Sequence, residues 1–175
     1  ELNPQDLLTE IIDPARYLTT DQVAHRLVNK DPSLFLVDVR AEPAYKKFSL
    51  TGAVNVPLED IITDGNQRFF TQPGKDVVLF SNADMYADQA WILLTRMERE
   101  NIYVMKGGIN EWFRTIIKPT PPAPTEPEEA FDRYQFRLGA RQYFLGGSSI
   151  DVPEIEAEEI QVTRKKKKSV VEGGC

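Results

Sequence analysis

Ser81 occupies the position in this chain where chemistry is easiest to build. An apolar run, Val77-Val78-Leu79-Phe80, ends there, and Ser81-Asn82-Ala83-Asp84-Met85-Tyr86 leads into a helical pattern starting near Ala87. At a strand-to-helix junction, backbone N–H groups and the helix dipole converge, so a nucleophile or an anion is well served. A serine nucleophile needs a base, and the only histidine is His25, between Ala24 and Arg26 in an early helical pattern. The glycine-flanked serine of a hydrolase elbow is absent around Ser81. The serine-hydrolase reading therefore rests on two separated residues. The other reactive group is Cys175, the single cysteine and last residue. One cysteine allows no internal disulfide and no multi-cysteine metal site. No metal ligand set and no cofactor are expected.

Composition bounds the rest. Hydrophobic residues make up 41% of the 175, enough for a real core. The chain carries 27 acidic and 21 basic residues, and five of the basic ones form Arg164-Lys165-Lys166-Lys167-Lys168. Without that run the balance is 27 against 16, so the body is acidic and nucleic acid is not an expected partner. No apolar run approaches the ~18 residues of a membrane span. The first residue is Glu1, which leaves open a processed N-terminus, and with it a cytoplasmic or an exported, periplasmic location.

The elements that must position Ser81 read as alternating strands and helices. Leu34-Phe35-Leu36-Val37, ending in Asp38, and Asp76 to Phe80 are continuous apolar runs, the pattern of strands buried on both faces of a parallel sheet. Ala53-Val54-Asn55-Val56-Pro57 is a shorter strand, and Ile102-Tyr103-Val104-Met105 another. Thr19-Thr20-Asp21-Gln22 reads as a helix start, with Val23, Ala24, Leu27 and Val28 on one face. Ala87 to Glu100 is a helix with Ala90, Trp91, Leu94 and Met97 inward, and Ile109 to Ile117 a short one after Gly107-Gly108. The expected fold is α/β, with a central parallel sheet of about five strands and helices on both faces. Sites in such sheets lie at the carboxyl ends of the strands, where Arg40, Ser81 and Lys106 fall.

Five segments follow: a lead-in at 1–13, a domain at 14–118, a Pro-rich linker at 119–130, an amphipathic helix at 131–147 and a charged tail at 148–175. The linker, with Pro119, Pro121, Pro122, Pro124 and Pro127, is stiff and extended. The helix has Phe131, Tyr134, Leu138 and Tyr143 or Phe144 as its apolar residues and three arginines outside. Such a row is costly in water, so the helix is expected to pack back on the domain or engage a protein partner. The tail, acidic over Glu154–Glu159 and then basic, reads as disordered in isolation and ends in Gly173-Gly174-Cys175.

Three elements in order carry a family resemblance over Tyr17 to Lys118. They are Asp38-Val39-Arg40 followed by Glu42 and Tyr45, then Thr51-Gly52-Ala53-Val54-Asn55-Val56-Pro57, then Val104-Met105-Lys106-Gly107-Gly108-Ile109-Asn110-Glu111-Trp112. Together they resemble the rhodanese-like sulfurtransferase family. Within it, Gly52, Gly107, Gly108 and Trp112 read as structural. Gly107-Gly108 allows a sharp turn from strand to helix, and Trp112 plugs the core. Asp38 and Arg40 read as an ion pair or a hold on the neighbouring loop, rather than a contact to substrate.

The resemblance also implies an active-site loop that opens with a nucleophilic cysteine, commonly followed by arginine. Here that loop aligns with Ser81, Asn82, Ala83, Asp84, Met85 and Tyr86. Sulfane transfer needs a thiolate that can hold a persulfide, which a serine hydroxyl cannot do. The phosphatase chemistry of relatives would need a cysteine and an arginine where this chain has Ser81 and Ala87. No Lys or Arg occurs between Lys75 and Arg96, so Asp84 is expected to face an anionic substrate with no cation to offset it. At ~4 Å such a like charge costs about 1–4 kcal/mol.

The function expected is a catalytically inactive rhodanese-like domain, acting as a binding or regulatory module in sulfur metabolism or a protein complex. The alternative is a sulfur-relay component that uses Cys175 as persulfide carrier, since nearby lysines favour the thiolate. Against it, Gly173-Gly174-Cys175 also fits a plain solvated end or an added conjugation handle. Lys165, Lys166, Lys167 and Lys168 could dock on an anionic membrane surface, at about 1 kcal/mol each, or fold back on the acidic stretch.

Overall fold

The computed structural model describes residues 14–146. The lead-in and the tail with Lys165–Lys168 and Cys175 lie outside the described residues. A 3₁₀ turn at Pro14–Arg16 leads into β1 (Tyr17–Leu18), α1 (Thr20–Val28), β2 (Leu34–Asp38), α2 (Glu42–Lys47), β3 (Val54–Asn55), β4 (Asp76–Phe80), α3 (Met85–Arg96), β5 (Ile102–Met105) and α4 (Gly108–Trp112). The last of these continues as a π-helical turn at Phe113–Ile117, and after the Pro-rich segment comes α5 (Glu128–Leu145). All pairings are parallel, in the order β1-β5-β4-β2-β3. The expected α/β fold with a five-stranded parallel sheet is the observed one.

The apolar runs become strands because both faces of the sheet are covered. Leu36, Val78, Phe80 and Met105 pack into one cluster with Val23 and Ala24 of α1, Trp112 of α4 and Ala140 of α5. Val37, Val77, Leu79 and Val104 pack into the other with Ala87, Ala90, Trp91 and Leu94 of α3. β2 and β4 pair in full register, from Leu34 opposite Asp76 to Asp38 opposite Phe80. The ends of the two central strands therefore lie side by side.

Local signals place several boundaries. Thr19 caps α1 with a capping box: its hydroxyl accepts from Gln22 N at 3.2 Å, and the Gln22 side chain accepts from Thr19 N at 2.7 Å. α3 starts at Met85 instead of Ala87, and it stops at Arg96 instead of Glu100 because Glu98 adopts a left-handed backbone conformation, with φ 56°. The strand expected over Ala53–Pro57 shrinks to Val54–Asn55 at the sheet edge. β1 and α2 went unread. The first has only two residues, and the second is a six-residue helix with no buried side chain and hence no apolar stripe.

The apolar row assigned to the C-terminal helix is corrected by its packing. α5 begins at Glu128 and lies back on α1 and the π turn. Ala130 and Ala140 are its buried residues, Phe144 meets Trp112 edge-on at 5.1 Å, and Phe136 faces His25 at 6.0 Å. Phe131, expected inside, is 39% exposed; of the alternatives Tyr143 and Phe144, Phe144 packs on the core and Tyr143 is 50% exposed. Arg137, expected to be outside, forms a bidentate pair with Asp21 of α1 at 2.8 and 2.7 Å. Ala130 and Ala140 let the helix approach closely, and Phe136, Phe144 and Leu145 pack beside them on the inner face.

At the amino end of the sheet, Arg26 Nε donates to Asp31 at 2.7 Å, and its Nη2 to Asp76 at 2.8 Å. Asp31 also accepts from the hydroxyl and backbone N–H of Ser33, at 2.6 and 2.9 Å. These Ser33 bonds, with Arg26 behind them, hold the Asp31 carboxyl down to about 2. A depressed carboxyl stabilises the fold above its unfolded value of 3.8, and that contribution is lost as pH falls through about 2. A carbon-detected NMR titration should find Asp31 ionised down to about 2. Ser33→Ala should move its midpoint up towards 3.8, whereas an unmoved midpoint would mean that Ser33 is not the cause.

Candidate functional site

The site lies at the carboxyl end of β4, between the ends of β2 and β5. Ser81, Asn82, Ala83 and Asp84 form the loop, while Met85 and Tyr86 already belong to the first turn of α3. Ser81 has no exposed surface, and its hydroxyl donates to the Ala83 carbonyl at 2.8 Å. His25 does not approach it. That ring is exposed on α1, beside Asn29 and Phe136.

From the β2 side, Asp38 and Arg40 hold the loop. Asp38 is fully buried and Arg40 is 7% exposed. Arg40 Nε and Nη2 donate to the two Asp38 oxygens at 3.0 and 2.7 Å, and Arg40 N to Oδ1 at 3.0 Å. Ser49 Oγ adds a fourth bond to the carboxylate at 2.7 Å. The remaining guanidinium donor, Nη1, reaches Asn82 Oδ1 in the loop at 2.9 Å, and Nη2 also donates to the Phe48 carbonyl. Of the two readings offered for Asp38 and Arg40, ion pair or loop hold, the geometry combines both. Asn55 adds a part that sequence reasoning missed: its amide donates to the carbonyls of Asp38 and Arg40 at 2.9 and 2.8 Å. Its place in the Gly-Ala-x-Asn-x-Pro element was the available signal.

From the β5 side, Asp84 is gripped. Its Oδ1 accepts from Gly107 N at 2.6 Å, and Lys106 Nζ lies 2.7 Å from Oδ2. The expectation that Asp84 has no cation to offset it is therefore corrected. The cation comes from the next strand, 22 residues later, and so escapes a scan of the loop's own neighbours. The bond to Asp84 is the main reason that the Lys106 ammonium titrates above its ordinary range. Lys106 also lies over the Tyr17 ring at 4.3 Å. Tyr17 donates to Asp88 at 2.8 Å, and burial raises its phenol.

The glycines set how closely the loop and α4 approach. Ser81 O and Asn82 O accept from Ile109 N and Asn110 N at 2.9 and 3.0 Å. A Cβ on Gly108 would come within 2.3 Å of Ser81 O, and its φ is +57°. Only glycine fits that position. Trp112 is 2% exposed and lies in the core beneath, as its structural reading required. Gly52, with φ +82°, turns the chain before β3.

A five-stranded parallel sheet with helices on both faces and a loop at the end of its central strand defines an α/β domain of the open-sheet class. Comparison with known proteins makes the class specific. The Rhodanese-like domain model matches residues 19–115, more than half of the chain, and the chain belongs to this family. Among solved structures, a Bacillus halodurans protein is similar at 19% identity and TM-score 0.52, covering 63% of this chain and 80% of that one. The rhodanese-like domain of an Anabaena protein is similar at 22% identity and TM-score 0.51, with coverages of 65% and 89%. A Rhodopseudomonas palustris protein described as a possible tyrosine phosphatase is similar at 15% identity and TM-score 0.50, with coverages of 63% and 89%. No curated protein matches. At these identities the likeness is one of fold. Among the described residues, no group of three or more His, Cys, Asp or Glu side chains could hold a metal ion. None of the described helices is long and apolar enough to cross a membrane.

The Asp38–Arg40 pair yields a stability test. Removing one member of a buried pair strands the other charge, at about 3–5 kcal/mol. Arg40→Met should cost about that much in urea unfolding at neutral pH. A loss below about 1 kcal/mol would mean that Asp38 finds other compensation.

Proposed function

We propose that this chain is a catalytically inactive rhodanese-like domain that serves as a binding or regulatory module. One observation carries the reading: Ser81, at the position where the family resemblance implies a cysteine, is fully buried, and its hydroxyl is bonded to the loop's own Ala83 carbonyl. A hydroxyl is too weakly acidic to attack sulfane sulfur and forms no stable carrier with it. The electrostatics agree. Arg40 is committed to Asp38 and Lys106 to Asp84, so both nearby cations are already neutralised for an incoming anion. The serine-hydrolase alternative loses its base, because His25 stands against Phe136 on α1. On this reading the contact surface for a protein partner is the outer side of α5, where Phe131 and Tyr143 are exposed, or the tail beyond it.

A thiosulfate:cyanide transfer assay tests the proposal, with a background rate expected for the parent chain. Ser81→Cys should also stay near background, because Asp84 still holds Lys106 and no loop arginine is present. Turnover by the parent chain would refute the inactive reading. Robust turnover in Ser81→Cys would show that only the nucleophile had been lost.

A second reading rests on Cys175 being the chain's single thiol. Its thiolate would attack the outer sulfur of a donor persulfide, forming a new S–S bond while the donor thiolate leaves. Mass spectrometry after exposure to a persulfide donor should then find one added sulfur in the parent chain and none in Cys175→Ser. An unmodified parent chain would exclude the relay.

A further inference from the structure

On the α5 side of the sheet, an apolar groove runs between α1 and the segment 48–52. It consists of two concavities, of ≈ 50 and ≈ 120 Å³, that share Leu27 and Thr51. Trp112, Phe144 and Leu145 close the inner end, and Leu34 and Leu36 of β2 floor the outer one. The groove exists because β3 is only two residues long, so little beyond β2 covers its outer half. Lys30, at the outer rim, makes no ion pair among the described residues. The neighbouring Arg26 is taken by Asp31 and Asp76, and Asp31 by Arg26 and Ser33.

We propose that the groove is the docking site of this chain's own segment Ile150–Ile155, in cis. Continuity is the first argument. Leu145, the last residue of α5, is itself a wall of the groove, and Gly146 (φ +56°) turns the chain off the helix axis there. Only Gly146, Gly147, Ser148 and Ser149 separate Leu145 from Ile150, and four small residues reach about 14 Å when extended. Pattern is the second argument. In Ile150-Asp151-Val152-Pro153 the apolar residues alternate with a carboxylate, so an extended chain turns Ile150 and Val152 to one side and Asp151 to the other. Pro153 biases Val152 to that extended form. Charge is the third: Asp151, Glu154 and Glu156 would pass the rim that carries the unpaired Lys30.

Docking would also shorten the free tether. From Ile155, 20 residues remain to Cys175, a random-coil reach of about 25 Å. The lysine run and the thiol would then be confined to the neighbourhood of the groove and the Phe48–Arg40 contact behind it.

NMR on the full chain tests this. Nuclear Overhauser contacts are expected from the Ile150 and Val152 methyls to the Trp112 and Phe144 rings. Amide exchange over 150–155 should be slowed about tenfold or more relative to a free peptide. Ile150→Asp with Val152→Asp should abolish both signals and leave the fold's own spectrum in place. Lys30→Glu, on an exposed residue, should reduce the exchange protection severalfold. Peptide-like exchange over 150–155 in the parent chain would overturn the proposal. So would contacts seen only between differently labelled copies, which would make the occupant a second molecule.

Discussion

The arrangement depends first on a carboxylate buried at the end of β2. Asp38 has no exposed surface, and an unpaired charge there would be prohibitive. Its two oxygens collect four hydrogen bonds, three from Arg40 and one from Ser49. Once Arg40 is fixed by that carboxylate, its remaining donors have few places to go. One meets Asn82 in the loop after β4, and the other secures Phe48. Because Asp38 and Phe80 are register partners, the guanidinium crosses from one strand end to the next without spanning a gap. A single buried pair thus joins β2, the segment before β3 and the loop.

The loop is held as firmly from the other neighbour. β4 lies between β2 and β5, and Asp84 binds Lys106 and Gly107 at the end of β5. Each side therefore supplies one cation, and each cation meets one carboxylate. The carbonyls of Ser81 and Asn82 in turn occupy the N–H groups of Ile109 and Asn110. Donors that could otherwise be turned towards a ligand are spent inside the molecule.

How much of this was legible in the sequence differs by residue. Leu34–Asp38 and Asp76–Phe80 announced themselves, because strands covered on both faces need apolar residues at every position. Thr19 and Gln22 announced α1 through their spacing alone. Ser81 and the glycine pair could be placed from the three ordered elements. Lys106 could be placed at a strand end, but its partner could not: Asp84 and Lys106 meet only through strand order, which local pattern does not encode. Asn55 was visible as a letter in an element, but its role appears only when the ends of β2 and β3 are side by side. α5 misled for another reason. Its inner face was sought from Phe131 onward, but the contact with α1 and the π turn combines Ala130 and Ala140 with Phe136, Phe144 and Leu145.

The placement of α5 bears on where this domain presents information. α5 leaves Phe131 and Tyr143 exposed while Arg137 is drawn towards α1. Arg137 can be drawn in because Asp21, in the first turn of α1, supplies a bidentate partner there, and its aliphatic stem still covers apolar surface. The helix is thereby oriented by a polar contact, and the aromatic residues left outside are a consequence of that rotation. Under the binding-module reading, the closed loop at the strand ends and the open aromatic side of α5 are complementary. The two cations beside the β4 loop are each paired with a carboxylate, and α5 exposes the rings of Phe131 and Tyr143. Aromatic side chains are the type enriched in protein–protein interfaces.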